Sequence, residues 1–229
     1  MGVIQYFINN HAIIAEYAKI HFSLAVLAIS IAILLWIPVG IAASYNEKIS
    51  SFAINIASLI MCIPGLALLS ILIVIPFMGL GMKSATTALV LYAMLPLVMN
   101  TCAGLKSVDS SVIEAAKGMG MSTRKILLEV KLPLALPVIF AGIRVMVVMI
   151  TGMCTLATFI GVKTLGRLIH QGIARSNMDM VITGAILTGI ISLLVDCVMG
   201  LIQNKLSKKL LGSVNQKEYD DNVKGVTPI

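Results

Sequence analysis

Charged side chains are what this sequence most lacks. They make up 12% of its 229 residues, where a soluble domain carries roughly 25%, and mean hydropathy is +1.00. Such a balance excludes an ordinary water-soluble domain and points to an integral membrane protein. Histidine is almost as rare, with three copies, His11, His21 and His170, isolated from one another. The four cysteines, Cys62, Cys102, Cys154 and Cys197, fall one to an apolar run, with no CxxC and no histidine at metal-ligand spacing. A metal centre and a disulfide framework are therefore not expected, and the cysteines read as small apolar residues. The sequence shows no internal repeat and no low-complexity tract, and no early basic region or small-residue cleavage site marks a removable signal.

A phosphate loop is also missing. The nearest approach, Gly79-Leu80-Gly81-Met82-Lys83-Ser84, has Phe77 where the leading glycine of GxxxxGK[ST] would stand. An intramembrane enzyme would need a nucleophile with a base, or paired carboxylates. Asp196 is the only acid inside an apolar run, and no histidine falls in a span's interior, His21 standing at the edge of the first. A secondary transporter would show inverted repeats and more spans.

What is abundant is apolar length. A membrane-crossing helix needs about 20 apolar residues, and five runs approach that length: His21 to Ala43, Ser51 to Pro76, Ser84 to Leu105, Leu134 to Ile160 and Met180 to Gln203. The expected fold is all-α and polytopic, with about five core transmembrane helices. Residues 1–20 are mixed in character and read as an extracytoplasmic or interfacial segment with a short amphipathic helix. Residues 21–203 form the transmembrane domain and 204–229 a tail. The formal charge of +7 reflects membrane orientation rather than nucleic-acid binding. Lys48, Lys106, Lys117, Arg124, Lys125, Lys131, Lys205, Lys208, Lys209, Lys217 and Lys224 fall on one side, against Lys19, Lys83, Lys163, Arg167 and Arg175 on the other. The basic side is cytoplasmic, so the N-terminus is expected outside and the C-terminus inside.

Two features interrupt the apolar pattern. In the second span, Ile63-Pro64-Gly65 removes a backbone donor and loosens the turn. Either a packing kink or a break lining a pathway fits. Between the third and fourth spans lies a charged segment, 109–133. Ser111 and Glu114 have the spacing of a capping box starting a helix at Val112; Gly118 and Gly120 offer a left-handed stop. Ser122 can cap a second helix that Leu132-Pro133 ends before the fourth span. Val112, Ile113, Ala115, Ala116 and Met119 give the first helix an apolar, small-residue surface suited to a partner's groove; a solvated loop helix is the alternative. Within the spans, Arg144 and Asp196 each lie about seven residues from a cytoplasmic end, roughly 10 Å deep at 1.5 Å per residue. Equal depth predicts an ion pair, either a clamp between the fourth and fifth spans or part of a gate.

Glu114-Ala115-Ala116, Gly120 six positions later, and Val130-Lys131-Leu132-Pro133 together resemble the EAA signature of the membrane subunits of ATP-binding-cassette importers. Ala135-Leu136-Pro137 and Ala141-Gly142-Ile143-Arg144 follow in the order expected of that family. Ile63-Pro64-Gly65-Leu66-Ala67-Leu68-Leu69, Leu91-Tyr92-Ala93-Met94-Leu95-Pro96 and Asn100-Thr101 are similar to the subfamily that imports glycine betaine, carnitine and choline. The resemblance covers about Leu24 to Gly200. It departs at Phe159-Ile160-Gly161-Val162-Lys163-Thr164-Leu165-Gly166, where Lys163 and Thr164 replace small residues.

The resemblance implies a methionine-importer-like permease fold in a bacterial cytoplasmic membrane. Glu114, Ala115, Ala116, Lys117, Gly118, Met119 and Gly120 would be the coupling helix that enters a cleft of a separate ATPase. No cofactor is expected on this chain, since ATP and Mg would sit on that partner. The implied assembly holds two ATPase subunits and a second permease subunit, identical or related, amid membrane lipid. A quaternary ammonium is recognised by an aromatic cage. With one Trp, five Tyr and six Phe dispersed along the chain, selection is assigned to a separate extracytoplasmic binding protein. A low-affinity pathway would be lined near Asn55, Met61, Pro64, Asn100, Thr151 and Thr155. Amino acids are the alternative substrate, because methionine and polar amino-acid permeases share the fold.

Overall fold

Hydrocarbon offers the peptide backbone no hydrogen-bonding partner, so an apolar run must satisfy its own N–H and C=O groups as a helix. A computed structural model, which describes the backbone of residues 2–224 and the side chains of residues 2–206 and Lys208, follows that rule throughout, with no strand among the described residues. Its helices are α1 (Val3–Asn9), α2 (His11–Ser44), α3 (Glu47–Cys62), α4 (Gly65–Val74), α5 (Met82–Tyr92) and α6 (Met94–Lys106). They continue with α7 (Ser110–Gly118), α8 (Thr123–Ile126), α9 (Leu132–Met153), α10 (Gly166–Ala174) and α11 (Met178–Lys224). A π turn, Leu127–Lys131, joins α8 to α9, and a 3₁₀ segment, Cys154–Ile160, extends α9.

Four stretches are long and apolar enough to cross a membrane: His11–Ser44, Met82–Lys106, Thr123–Ile160 and Met178–Leu206. The pair α3 and α4 is apolar enough only when taken together and bends by 97° at its break, the geometry of either a fifth, broken span or a re-entrant loop. The chain is a multi-pass membrane protein.

Small residues let these helices approach. Ala25, Ala28 and Ala32 on α2 are buried in the main core, against Leu89, Val90, Leu97, Met146 and Ile150. Where α9 meets α6, a Cβ on Gly142 would stand 2.5 Å from Asn100 Cβ and 2.8 Å from the Pro96 carbonyl oxygen. Only glycine permits that approach, the small-residue packing of membrane helices.

The structure redraws three boundaries. The first span begins at His11, ten residues before His21, so residues 11–20 extend it instead of forming a separate interfacial helix. Its N-terminal turns pack through Ile14 against Leu165, Leu168 and Met180. There Lys163 Nζ lies 3.8 Å from Glu16 Oε1, so the lysine that departs from the subfamily pattern pairs its loop with α2 at the surface, and Thr164 beside it is buried. Second, Pro133 does not end a helix. The π turn widens the preceding ladder, with Leu132 N–H bonding to Leu127 O, and a widened turn relieves the clash a proline makes with the carbonyl four residues back. The fourth span therefore runs unbroken from Thr123. Third, α11 continues as helix to Lys224, through most of the expected tail; residues 225–229 lie outside the described residues.

Candidate coupling surface and interrupted spans

Helix α7 projects from the bundle with Ala116 its only buried residue. Its start differs from the expected capping box. Asp109, two residues before Ser111, is the cap: its Oδ1 accepts from the backbone N–H of Ser111 at 2.9 Å, and the helix begins at Ser110. A carboxylate at this end also meets the positive pole of the helix. That backbone donor holds the Asp109 carboxyl below its ordinary range. The cap thus persists above the ordinary carboxylate pKa and is lost as pH falls through the depressed value.

The far end is a Schellman closure. Met121 N–H bonds to Ala116 O at 3.1 Å and Gly120 N–H to Lys117 O at 2.9 Å. This requires a left-handed residue, and Gly120 supplies it with φ +78. Gly118, expected to share that role, is the last helical residue. Ser122 then caps α8, accepting from Lys125 N–H at 3.4 Å. The exposed surface of α7 carries Val112, Glu114, Ala115 and Lys117, with Met119 just beyond, three-quarters exposed. A nine-residue helix capped at both ends, with Ala116 buried and Ile113 half-buried against its own chain, leaves the rest of its surface exposed.

Inside the membrane, three helical interruptions each expose a carbonyl, and each carbonyl is taken by a side chain from another helix. At the α3–α4 break, the residue before Pro64 is pushed into extended conformation, with Ile63 at φ −71, ψ 126. Tyr92 Oη donates to the Ile63 carbonyl, so one freed group faces protein. Near the α5–α6 junction, Trp36 Nε1 donates to Val90 O at 2.7 Å. Where α9 tightens to 3₁₀, a change from four-residue to three-residue bonding skips a carbonyl. There His21 Nε2 donates to Thr151 O at 3.0 Å. The histidine expected at a span's edge is thus buried inside one.

Sequence reasoning missed all three donors. Their common signal is a side chain with an apolar body and one polar tip, placed in an apolar run opposite a proline or a change of helical period. Replacing Tyr92 with phenylalanine keeps the ring and strands the Ile63 carbonyl, and is expected to cost about 1–3 kcal/mol. Thermal unfolding of the purified chain reads this, and a melting temperature unchanged from the parent would refute the clasp.

The residues expected near a pathway do not converge. Asn55, Met61 and Pro64 are exposed on α3 and its break. Asn100 is half-buried on α6, bonding its own helix at Pro96 O (2.7 Å). Thr151 is buried and bonds Val147 O. Thr155 is half-buried, bonds Gly152 O, and lines a separate cavity of about 340 Å³ with Phe159 and His170. Arg144 and Asp196 do meet. The guanidinium makes two parallel bonds to the carboxylate, Nε to Oδ1 at 2.7 Å and Nη2 to Oδ2 at 2.8 Å, and Nη1 adds Gln203 Oε1 at 3.2 Å. No group of three or more potential metal ligands occurs among the described residues.

The sequence pattern of the family described as binding-protein-dependent transport system inner membrane component matches residues 36–208. The chain is 33% identical over 203 residues to the carnitine transport permease protein OpuCB of Listeria monocytogenes, covering 89% of this chain and 92% of that protein. It is 34% identical to the glycine betaine/carnitine/choline transport system permease protein OpuCD of Bacillus subtilis (strain 168), covering 87% and 86%. It is likewise 34% identical to the osmoprotectant import permease protein OsmW of Salmonella typhimurium, covering 91% and 99%. Among solved structures, an inward-facing form of the MetNI methionine ABC transporter superposes with TM-score 0.78 at 20% identity, covering 86% of this chain and 98% of that one. At that identity the likeness shows the fold alone.

Proposed function

Since the chain belongs to the binding-protein-dependent transport system inner membrane components, we propose that it is the permease of an ATP-driven importer of quaternary-ammonium osmolytes: glycine betaine, carnitine or choline. The observation that carries this reading is identity of 33–34% across nearly the whole chain to permeases named for those solutes.

The geometry supports a mechanism. With no phosphate loop in the sequence, ATP and Mg belong to a separate pair of ATPase subunits. Glu114 to Gly120 seats in a cleft of one of them, and a second permease, identical or related, completes the pathway. When the ATPase dimer closes, a rigid helix held in it moves as a body. α7 passes that displacement to α6 on one side, and through α8 and the π turn to α9 on the other. The spans are biased between inward-open and outward-open states by whichever state the ATPase and the loaded binding protein favour. The placement of Lys and Arg supports an orientation with the N-terminus out and the C-terminus in.

Gentle extraction, identification of co-purifying subunits and reconstitution in proteoliposomes test the proposal. ATP-dependent uptake of radiolabelled glycine betaine, carnitine or choline is the expected result. Uptake of methionine or a polar amino acid instead would overturn the substrate class, and absence of any co-purifying ATPase would overturn the importer.

A further inference from the structure

His21 is the only ionisable residue in the wall of a cavity of about 400 Å³ lined by α2, α9 and α11. Ala25, Val147, Ile191, Val195 and Met199 form much of the rest, and Thr151 is the one other polar residue. His21 is 1% exposed, and its Nδ1 has no hydrogen-bond partner. Its Nε2 bonds a carbonyl oxygen, which only accepts, so Nε2 carries the proton and the neutral ring leaves Nδ1 as a bare acceptor. A buried polar atom without a partner costs free energy, and this one calls for a donor.

Water fits the site poorly, because a buried water is held by two to four polar partners. The Thr151 hydroxyl, whose proton goes to Val147 O, can only accept from a water, and no other polar side chain besides His21 lines the wall, so a water there has two side-chain partners at most. What the wall fits is hydrocarbon. At about 30 Å³ per small molecular volume, the cavity holds on the order of a dozen methylene-sized groups. Phe22, Leu194 and Val198, which also line it, are more than half exposed on the surface of membrane-crossing helices, so its mouth opens where lipid chains lie.

We propose that this cavity binds a hydrocarbon chain drawn from the bilayer and bearing a hydroxyl group, which donates to His21 Nδ1. The chain lies against α2, α9 and α11 together. It therefore contacts the clasp that holds Thr151 at the α-to-3₁₀ junction, which makes bilayer composition a direct influence on that junction.

The test uses the full chain in nanodiscs of phosphatidylglycerol and phosphatidylethanolamine. It is probed with a diazirine-bearing hexadecanol and a matched diazirine alkane without the hydroxyl. The alcohol should label the cavity-facing segments of α2 and α11 and be competed by unlabelled hexadecanol. Competition by diacylglycerol as well would assign the site to a lipid, and competition by hexadecanol alone to free long-chain alcohols. His21→Phe keeps an aromatic ring in place and removes the Nδ1 acceptor together with the Nε2 donor to Thr151 O, a loss that bears equally on both probes. One hydrogen bond is worth about fivefold to tenfold in occupancy, so alcohol labelling should fall by that factor while alkane labelling holds. Ala25→Phe, which fills the cavity, should abolish both. Should either variant fail to fold, competition and the alcohol-to-alkane ratio in the unaltered chain still decide. Labelling spread evenly over all lipid-facing helices, or equal for the two probes, would overturn the proposal. None of these readouts involves transport, so they stand or fall separately from the importer reading.

Discussion

Gly120→Leu is expected to abolish substrate uptake by the reconstituted complex while the protein still inserts in the membrane and the ATPase still hydrolyses ATP. No heavy atom lies within 4 Å of a Cβ at this position, so steric crowding is not the cause. The backbone is: φ is +78, and a branched L-residue forced into left-handed conformation costs about 1–2 kcal/mol. The cheapest release is to unwind the closure at Met121 and Ala116, which changes the angle at which α7 leaves the bundle. A coupling helix that no longer holds its angle cannot pass a rigid displacement to α6 and α9. Gly120→Asn tolerates the same φ and should keep most uptake. Gly118→Ala should be nearly silent, because Gly118 ends a helix with open space around it. Uptake measured beside ATP hydrolysis separates the cases. Normal uptake by Gly120→Leu, or equal loss in Gly118→Ala and Gly120→Leu, would remove the closure from the mechanism.

That contrast shows where the sequence was legible and where it was not. Glycine at 118 and 120 announces that the helix stops; which of the two is left-handed depends on how many turns precede it. That in turn depends on whether Asp109 or Ser111 captures the first free N–H. Both are good caps, and a carboxylate at the positive pole wins by charge. The spans were legible because hydrocarbon compels long apolar helices, but their ends were not. Glu16, Lys19 and His21 look like the outside of a membrane, yet they ride on α2, because the turns carrying them pack through Ile14 onto Leu165, Leu168 and Met180. The π turn before Pro133 has no compositional mark at all. The pathway was illegible for a related reason. Side chains chosen by polarity within a run scatter over different faces, and the proposed route, shared with a second permease, would not be written in one chain's periodicity.

Equal depth did bring Arg144 and Asp196 together, and removing either is expected to harm the protein more than removing both. Each side chain is exposed by somewhat more than a third, 36% and 40%, so the pair is not sealed from its surroundings. Yet it sits between membrane-crossing helices, where an unpaired charge is costly. The guanidinium lies flat on α11 because position 200 is glycine; a Cβ there would meet its Cζ at 3.3 Å. Arg144→Met leaves the Asp196 carboxylate without its two donors and should lower the melting temperature by several degrees. Asp196→Leu should do less damage, since Gln203 still holds one nitrogen at 3.2 Å. Arg144→Lys cannot reproduce the fork and should fall between Arg144→Met and the parent. In the double variant Arg144→Met with Asp196→Leu no charge remains, and stability should return close to the parent, as replacement of ion pairs by apolar residues often permits. Tryptophan fluorescence of Trp36 reads all four proteins. If the two single losses simply add in the double variant, the residues act independently and the pair is not an energetic unit. If they do not add, uptake by the stable double variant separates the remaining roles. Preserved uptake makes the pair a clamp between α9 and α11, whereas lost uptake in a protein that melts normally makes it part of the gate.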